Sequence, residues 1–381
     1  MKADVLIIGA GIAGSALAYH LSDEGLHVVL LDKDYPGLGA SGRSSGLLTV
    51  QHWNSLDLAL SQASLRIYDN LVQEGNRGAR RVGFLRVTSR EEDVPRMKER
   101  AAMYRKEGLE AEFLEGRELT SGFPAISASD LLAGIFTPED GYVDAYDYTS
   151  TLAAAAKKGG AVMTMGTRAK GIHTRSSVVE GVDTSSGRLP AEVVVVAAGA
   201  WSASLLTDEG VFLPLKPYRT QALVTAPIEG LPDLPMFHEL PGGFYFRPNQ
   251  DGLLLGDGTE QREADPRNYN TQADFALYSD IAAWISMRMP ILKDLKFARG
   301  WAGLCVATPD RFPLVGPVEE VEGLYVLAGF NGLGVMRSPP LARSLSETLL
   351  GRKPSFNLAS LHPGRFDQNV EFPIREGFTL Q

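Results

Sequence analysis

Apolar residues near the start of the chain form two short unbroken runs, with a glycine-rich segment between them. Residues 5–8 are apolar and mostly β-branched, which predicts a strand buried on both faces of a parallel sheet. Residues 9–18 begin with three spaced glycines and continue with small apolar residues, as at a turn that opens a helix. A second apolar run at residues 27–31 ends at Asp32. The pattern predicts a strand, a glycine turn, a helix and a second strand.

The three glycines have the spacing G-x-G-x-x-G, which suits the pyrophosphate of a dinucleotide. Gly9 allows the tight turn, Gly11 lets the backbone approach a ligand closely, and Gly14 lets the helix pack on the strand. The helix N-terminus adds free N–H groups and a partial positive charge. Asp32 stands 18 residues beyond Gly14, where a carboxylate accepts the ribose hydroxyls of an adenosine. Together these positions predict a dinucleotide-binding βαβ unit.

Periodicity along the rest of the chain predicts further elements. Apolar residues at helical spacing predict helices at residues 55–76, 91–107, 146–158 and 272–290. Runs of strand-forming residues predict strands within 85–88, 161–172, 178–183, 192–201 and 324–328. Residues 243–249 and 252–257 lie between turn signals, which predicts antiparallel strands of a separate sheet.

Composition narrows the possible functions. With 381 residues, 44% of them apolar and 22% charged, the chain is typical of a globular protein of two domains. A net charge of −9 argues against a nucleic-acid partner. The single cysteine, Cys305, excludes intrachain disulfides and a cysteine-ligated iron–sulfur cluster. The six histidines lack the spacing of a metal site, so no metal is expected.

The sequence also gives an expectation for where the protein is located in the cell. The βαβ unit begins at residue 3, which leaves no room for a signal peptide, and no apolar run approaches the ~20 residues of a membrane span. We therefore expect a cytoplasmic protein, and attachment to a membrane surface stays open.

Three later motifs resemble a known family. Residues 39–46, which we call the glycine–serine loop, read Gly-Ala-Ser-Gly-Arg-Ser-Ser-Gly. Residues 301–316 read W-x-G-x-x-x-x-T-P-D-x-x-P-x-x-G, and residues 329–334 read G-F-N-G-L-G. In these motifs the chain resembles the D-amino-acid oxidase, glycine oxidase and sarcosine oxidase superfamily of FAD-dependent oxidoreductases. Within it, the chain is most similar to the β-subunits of dye-linked L-proline dehydrogenases. The resemblance extends from residue 3 to residue 366.

The resemblance implies a fold that is α/β plus α+β. A Rossmann-like FAD-binding domain would be interleaved with a substrate domain built on a mixed, mainly antiparallel sheet. Residues 1–83, 144–210 and 305–381 would form the FAD-binding domain, and residues 84–143 and 211–304 the substrate domain.

The resemblance also implies which residues hold FAD. In the family, the segment matching the glycine–serine loop runs along the flavin ring, and the segment matching residues 168–169 lies beside the adenine. No histidine occupies the loop, so the FAD is expected to be non-covalent. The expected FAD contacts are Gly9, Gly11, Ile12, Ala13, Gly14, Asp32, Lys33, Ser41, Arg43, Ser44, Ser45, Gly46, Leu47, Ala169, Ala198, Gly199, Trp201, Gly303, Asn331, Gly332, Leu333, Gly334, Val335 and Met336.

The activity implied by the resemblance is oxidation of the C–N bond of a small amine or amino acid, such as proline or an N-methylated amino acid, by hydride transfer to flavin N5. No second G-x-G-x-x-G is present for NAD(P), so electrons would pass to oxygen, a quinone or a partner protein. Two alternatives stay open: a dehydrogenase of D-amino acids or 2-hydroxy acids, and an FAD-holding subunit with little activity alone. A homo- or hetero-oligomer is possible under either.

The residues expected to contact the substrate follow from strand alternation and from the resemblance to the family. Tyr245 and Arg247 alternate along a predicted strand and so share a face, which we expect to line the cavity. Tyr245 would lie near the flavin and Arg247 would be available to a carboxylate. His52 follows the glycine–serine loop and would either reach the active site or face solvent. The candidate catalytic set is Tyr245, Arg247, Met336, Arg337 and His52.

Three departures from the family leave the substrate open. Cys305 stands where glycine oxidases carry an arginine, Met336 where sarcosine oxidases carry a lysine, and Leu333 where a histidine is common. A substrate carboxylate would therefore be bound by Arg247, Arg337 or Arg219, would be held differently, or would be absent. Cys305 itself is expected to be a buried, inert thiol.

Overall fold

The computed structural model describes residues 2–52, 54–72, 78–240, 242–258, 261–262 and 265–372, and for 261–262 it gives the backbone alone. Within these residues the helices are α1 (Ile12–Ser22), α2 (Ser55–Leu71), α3 (Val94–Lys106), α4 (Arg117–Gly122), α5 (Ala145–Lys158), α6 (Ser202–Leu206), α7 (Phe275–Arg288) and α8 (Gly334–Leu349). None of them is both long enough and apolar enough to cross a bilayer.

The strands, again within the described residues, are β1 (Ala3–Ile8), β2 (Val28–Leu31), β3 (Leu47–Leu48), β4 (Arg80–Arg81), β5 (Phe84–Thr88), β6 (Glu112–Glu115), β7 (Ala133–Thr137), β8 (Gly141–Tyr142), β9 (Val162–Thr164), β10 (Ala169–Arg175), β11 (Val178–Thr184), β12 (Gly187–Val196), β13 (Lys216–Thr225), β14 (Met236–Leu240), β15 (Tyr245–Asn249), β16 (Gly252–Gly256), β17 (Gln261–Arg262), β18 (Phe297–Ala307), β19 (Leu314–Pro317) and β20 (Leu324–Ala328).

The first of the two large sheets has eight strands and carries the predicted βαβ unit. Its strand order is β10-β11-β12-β1-β2-β9, and β20 joins β12 and pairs in turn with β19. The pairs β12–β1, β1–β2, β2–β9 and β12–β20 are parallel. β1 lies in the middle of these parallel strands, which explains its unbroken apolar sequence.

Both faces of the first sheet are covered. Successive residues of a strand point to opposite faces. Ile7 accordingly lies in a core shared with α1, α5 and α8, whereas Leu6 lies in a core shared with β11 and β18. The carboxyl ends of β1, β12 and β20 lead into Gly9, Ala197 and Gly329 at one edge of the sheet. Ligands of open α/β sheets bind at this edge.

The second large sheet has nine strands in the order β17-β13-β16-β15-β14-β5-β7-β6, with β18 paired to β13. Every pair is antiparallel except β14–β5. One face packs on α7 through Leu223, Phe237, Phe246 and Trp284. On the opposite face Tyr245 and Trp301 pack together around Ala222, Val224 and Leu254. We call this opposite face the inner face.

The architecture confirms the predicted combination of a Rossmann-like sheet with a mixed, mainly antiparallel sheet, while the domain boundaries stay a prediction. The helices expected at 55–76, 91–107, 146–158 and 272–290 are present as α2, α3, α5 and α7. Residues 73–76 of the first lie outside the described residues. Sequence reasoning missed β13, β14 and β18 of the second sheet. The structure pairs β18 with β13 along its whole length.

Candidate active site

The glycine turn after β1 has no room for side chains. Gly9 has a φ of +110°, and a Cβ placed on it would lie 2.4 Å from the Ala197 carbonyl oxygen. A Cβ on Gly14 would lie 1.9 Å from the Gly9 carbonyl oxygen, because the helix packs directly on the turn. Gly11 is more open, since its Cβ would meet only the Ser41 Oγ, at 3.3 Å. The turn therefore exposes bare backbone at the point where a pyrophosphate would lie.

Two helix N-termini adjoin this turn. α1 has no side-chain cap at Gly11, although the Ile12 N–H donates to Ser41 Oγ at 2.9 Å. α8 also begins without a side-chain cap, and the Ile12 side chain lies 3.8 Å from the Cβ position of Gly334. Uncapped N–H groups and the positive ends of two helices favour an anionic ligand here.

Asp32 lies beside the same turn at the end of β2. Its Oδ2 accepts from the Ala10 N–H at 2.7 Å, and its Oδ1 accepts from the Asp34 N–H at 2.8 Å. The Thr167 N–H donates to the Asp32 carbonyl, which brings the start of β10, and with it Ala169, to this edge. The half-buried Trp201 closes the edge, with the Lys33 ammonium 5.2 Å from the centre of its ring. The predicted adenosine-side residues thus lie together.

Side chains of the second sheet hold the glycine–serine loop. Trp301 Nε1 donates to the Arg43 carbonyl at 3.0 Å, and Arg247 Nε donates to the Ser45 carbonyl. Tyr245 is hydrogen-bonded to the Ser45 side chain. Gly303, next on the inner face after Trp301, leaves space for the Arg43 side chain, which would be 3.3 Å from a Cβ there. The inner face therefore fixes residues 43–45 from one side.

The turn at residues 329–334 is held in place by hydrogen bonds within the protein. Asn331 has a φ of +53°, its Oδ1 accepts from the Thr308 N–H, and its Nδ2 donates to Thr308 Oγ1, both at 3.0 Å. Its side-chain amide thus holds the turn to the chain after β18, so any contact with a cofactor falls to backbone here. A Cβ on Gly332 would be 3.3 Å from the Tyr218 hydroxyl, which brings β13 to the same turn.

Comparison with known proteins identifies this arrangement. A family described as FAD dependent oxidoreductase matches residues 4–348. The chain belongs to this family. Human mitochondrial dimethylglycine dehydrogenase is 29% identical over 404 residues, which cover 99% of this chain and 46% of that protein. The chain thus spans about half the length of this curated relative.

Two solved structures have the same fold over their whole length. L-proline dehydrogenase from P. horikoshii superposes with a TM-score of 0.89 and 26% identity, covering 96% of this chain and 97% of that one. Glycine oxidase from Geobacillus kaustophilus superposes with a TM-score of 0.87 and 25% identity, covering 96% and 99%. The predicted family, and FAD as its cofactor, are confirmed.

The turn and loop residues fit FAD by their own geometry. The glycine turn presents backbone that a Cβ would obstruct, and the two uncapped helix ends offer N–H groups to phosphate oxygens. Asp32 lies where a ribose would follow. Gly199 has a φ of +54° and open space around its Cβ position, which leaves room beside the end of β12. The individual FAD contacts stay predictions.

The predicted carboxylate ligands are engaged within the protein. Arg337 is 4% exposed and forms a two-pronged ion pair with Asp57, both bonds at 2.6 Å. Arg219 is held by Asp274 and by backbone carbonyls ahead of α7, away from the inner face. Arg247 reaches the inner face as predicted, yet its guanidinium is hydrogen-bonded to the Ser45 and Pro248 carbonyls and to Asn249.

Burial excludes one of the two placements expected for His52, and Cys305 differs from expectation. His52 is buried at 4% exposure, and its Nε2 lies 2.8 Å from Ser61 Oγ, so it does not face solvent. Burial lowers the pKa of His52 to about 4, which keeps it neutral at neutral pH. Cys305 is partly exposed rather than buried and lies opposite Tyr218 on the inner face. Met336 is buried in the α8 core, where its carbonyl accepts from Ser64 Oγ.

Two aspartates close together in the sequence, Asp140 and Asp144, have structural roles. Asp144 caps α5 through the N–H groups of Tyr146 and Asp147, as its position before the helix indicates. Asp140 is fully buried, and it accepts from the hydroxyls of Thr49 and Thr137 and from a backbone N–H. Burial raises the pKa of Asp140 to about 6.

One buried group of the inner face was missed by sequence reasoning. Arg86 stands on β5, opposite His238 of β14, which in turn stands opposite Tyr245 of β15. Alternation within 84–88 separates Arg86 from Leu85 and Val87, but the sequence does not reveal which face looks toward the glycine–serine loop. That depends on the pairing of β5 with β14, about 150 positions later in the chain.

Proposed function

We propose that this protein oxidises the C–N bond of a small amino acid carrying a secondary or tertiary amine, such as L-proline, sarcosine or N,N-dimethylglycine. The observation that carries the proposal is the meeting of the two sheets at the glycine–serine loop. Bare backbone for a dinucleotide lies on one side of this loop and an aromatic inner face lies on the other. The named relatives support the substrate class, since dimethylglycine, proline and glycine are all amino acids.

FAD supplies a ring that accepts a hydride equivalent from the carbon next to the amine. The protein then has to place that carbon, exclude water and keep the loop rigid. Tyr218, Tyr245 and Trp301 give the inner face an apolar, aromatic character suited to the alkyl groups of a substituted amine. Burial raises the pKa of Tyr245 to about 12, so its hydroxyl remains protonated at neutral pH and serves as a hydrogen-bonding group rather than a base.

The FAD is proposed to be held without a covalent bond, because the glycine–serine loop offers no histidine, cysteine or tyrosine. Electrons leave the flavin to oxygen, a quinone or a partner protein.

The test is anaerobic titration of the FAD-loaded protein with L-proline, sarcosine, N,N-dimethylglycine and glycine, following loss of the flavin absorbance at roughly 450 nm. We expect a secondary or tertiary amine to bleach the flavin at least tenfold faster than glycine. D-alanine and L-2-hydroxyglutarate serve as controls for the alternative dehydrogenases. Bleaching by one of these controls alone would replace the proposal. A flavin that none of the compounds reduces would favour the partner-dependent subunit.

A further inference from the structure

Five arginines are buried among the described residues, and they differ in how their charge is compensated. Arg247 donates to three carbonyl oxygens instead of a carboxylate. Arg219, Arg288 and Arg337 are each at most 4% exposed, and each is paired to at least one carboxylate by forked hydrogen bonds. Arg86 is 2% exposed and forms no ion pair with any residue that the structure describes. Its Nη1 donates to the Gln51 carbonyl at 2.7 Å, whereas its Nε is buried with no hydrogen-bond partner.

A buried cation without an anion is costly. Burial lowers the pKa of Arg86 to about 10, so the group is still charged at neutral pH. The nearby Asp140 does not form an ion pair with it, because the Asp140 carboxyl is taken up by Thr49, Thr137 and Val50. The guanidinium lies 5.1 Å from the Phe84 ring centre, a contact that compensates only part of the lost hydration. The site therefore favours an anionic ligand from outside the chain.

Arg86 is connected to the glycine–serine loop in two ways. Across the sheet, Arg86, His238 and Tyr245 occupy facing positions on three adjacent strands, and Tyr245 is hydrogen-bonded to Ser45. Neighbouring strands are ~4.8 Å apart, so Arg86 and Tyr245 are separated by about 10 Å. Along the chain, its partner Gln51 follows the end of the glycine–serine loop by five residues. The carboxylate of a small amino acid bound beside this loop would therefore lie within the distance covered by these three residues.

We propose that Arg86 forms the carboxylate subsite of the active site, its unpartnered Nε edge binding the carboxylate of the amino-acid substrate. This inference deepens the proposed function and rests on it for the identity of the ligand. It assigns the carboxylate to a residue that stands apart from Arg219, Arg247 and Arg337, whose donors are already used within the protein. The fork of a guanidinium matches a carboxylate, and a lysine would not reproduce that geometry.

The test measures equilibrium binding without turnover. Acetate and its neutral analogue acetamide are titrated into the FAD-loaded protein, and binding is read from the change in the flavin spectrum. We expect acetate to bind the wild type more tightly than acetamide. Arg86→Met should weaken acetate by roughly 100-fold and leave acetamide unchanged, and Arg86→Lys should weaken acetate by roughly 10-fold. Arg219→Met is the matched control, a buried arginine of the same sheet whose side chain leaves the inner face; its acetate affinity should match the wild type.

A second readout separates a ligand site from a structural role. Arg86 has no carboxylate partner within the described residues. In the absence of any carboxylate ligand, Arg86→Met should therefore unfold at a urea midpoint no lower than that of the wild type. Should Arg86→Met fail to fold, Arg86→Lys alone decides by its acetate affinity. Equal binding of acetate and acetamide by the wild type, or acetate affinity kept within threefold in the Arg86 variants, would overturn the proposal. Acetate binding that depends on Arg86 in a protein whose flavin no amine reduces would retain this subsite while rejecting the proposed oxidation.

Discussion

The two large sheets contribute to the same loop by different means. The first sheet contacts the nucleotide side with backbone. Gly9 and Gly11 leave bare chain between β1 and α1, Gly14 lets α1 pack directly on that turn, and two helices begin there without side-chain caps. The second sheet meets the glycine–serine loop with long side chains, through Trp301 and Arg247 to backbone carbonyls and through Tyr245 to Ser45.

This difference separates cofactor recognition from substrate positioning. Backbone N–H groups and helix ends recognise phosphates whatever side chains surround them, so phosphate binding depends on glycine spacing rather than on particular side chains. The side chains of the second sheet hold the glycine–serine loop, and their residue types are free to change. Substrate preference can therefore vary on the inner face while the nucleotide side stays the same.

Gly14→Ala should have the largest effect, because it acts on the backbone side. An added Cβ would lie 1.9 Å from the Gly9 carbonyl oxygen, so either the helix or the turn must move. We expect the purified variant to be colourless or insoluble, measured as flavin absorbance per mole of protein. This outcome opposes helix propensity, which favours alanine over glycine by ~1 kcal/mol.

Gly171→Ala is the control for that prediction. Gly171 lies on β10 of the same sheet, and a Cβ there meets no atom within 4 Å. It should retain FAD as the wild type does. Full FAD content in Gly14→Ala would show that the turn adjusts and that the close packing of α1 on Gly9 is not required.

The same division decides how much could be predicted from the sequence. The glycine turn, β1, β2 and Asp32 occupy the first 32 residues, so local patterns were sufficient to place them. The inner face is assembled from β5, β13, β14, β15, β16 and β18, and its pairings join residues up to about 150 positions apart. Arg86 could not be assigned because strand alternation gives two faces and only those pairings select one. The partners of Arg337 and Arg247 were missed because they lie 280 and 202 positions away in the chain.

Arg337→Met should have the next largest effect, on stability rather than on cofactor binding. The change leaves Asp57 at 3% exposure without its partner, and breaking a buried ion pair in this way costs about 3–5 kcal/mol. Burial alone would raise the pKa of Asp57, but the Arg337 guanidinium holds it below its usual range. The pair therefore stabilises the fold above pH ~4, and this contribution is lost as the pH falls further. Urea unfolding at neutral pH measures the loss.

The double variant Arg337→Met with Asp57→Leu should recover most of that loss, since it removes both charges together. Arg86→Met provides the contrast, because removing a buried arginine that lacks a carboxylate should not lower the unfolding midpoint. Equal destabilisation by Arg337→Met and Arg86→Met would contradict the distinction between a paired and an unpaired buried cation.

Trp301→Phe should have the smallest effect and should appear in FAD affinity. It removes one hydrogen bond, from Nε1 to the Arg43 carbonyl, and keeps an aromatic ring on the inner face. A bond of this kind contributes ~1 kcal/mol, so we expect FAD to bind about fivefold more weakly when apoprotein is reconstituted and flavin fluorescence is followed. Trp284→Phe is the matched control: Trp284 Nε1 donates to Glu239 on the α7 side of the same sheet. Its loss should lower the urea midpoint and leave FAD affinity unchanged. If both variants weakened FAD equally, the second sheet would act on the loop through its overall stability, and the contacts to residues 43–45 would carry no separate role.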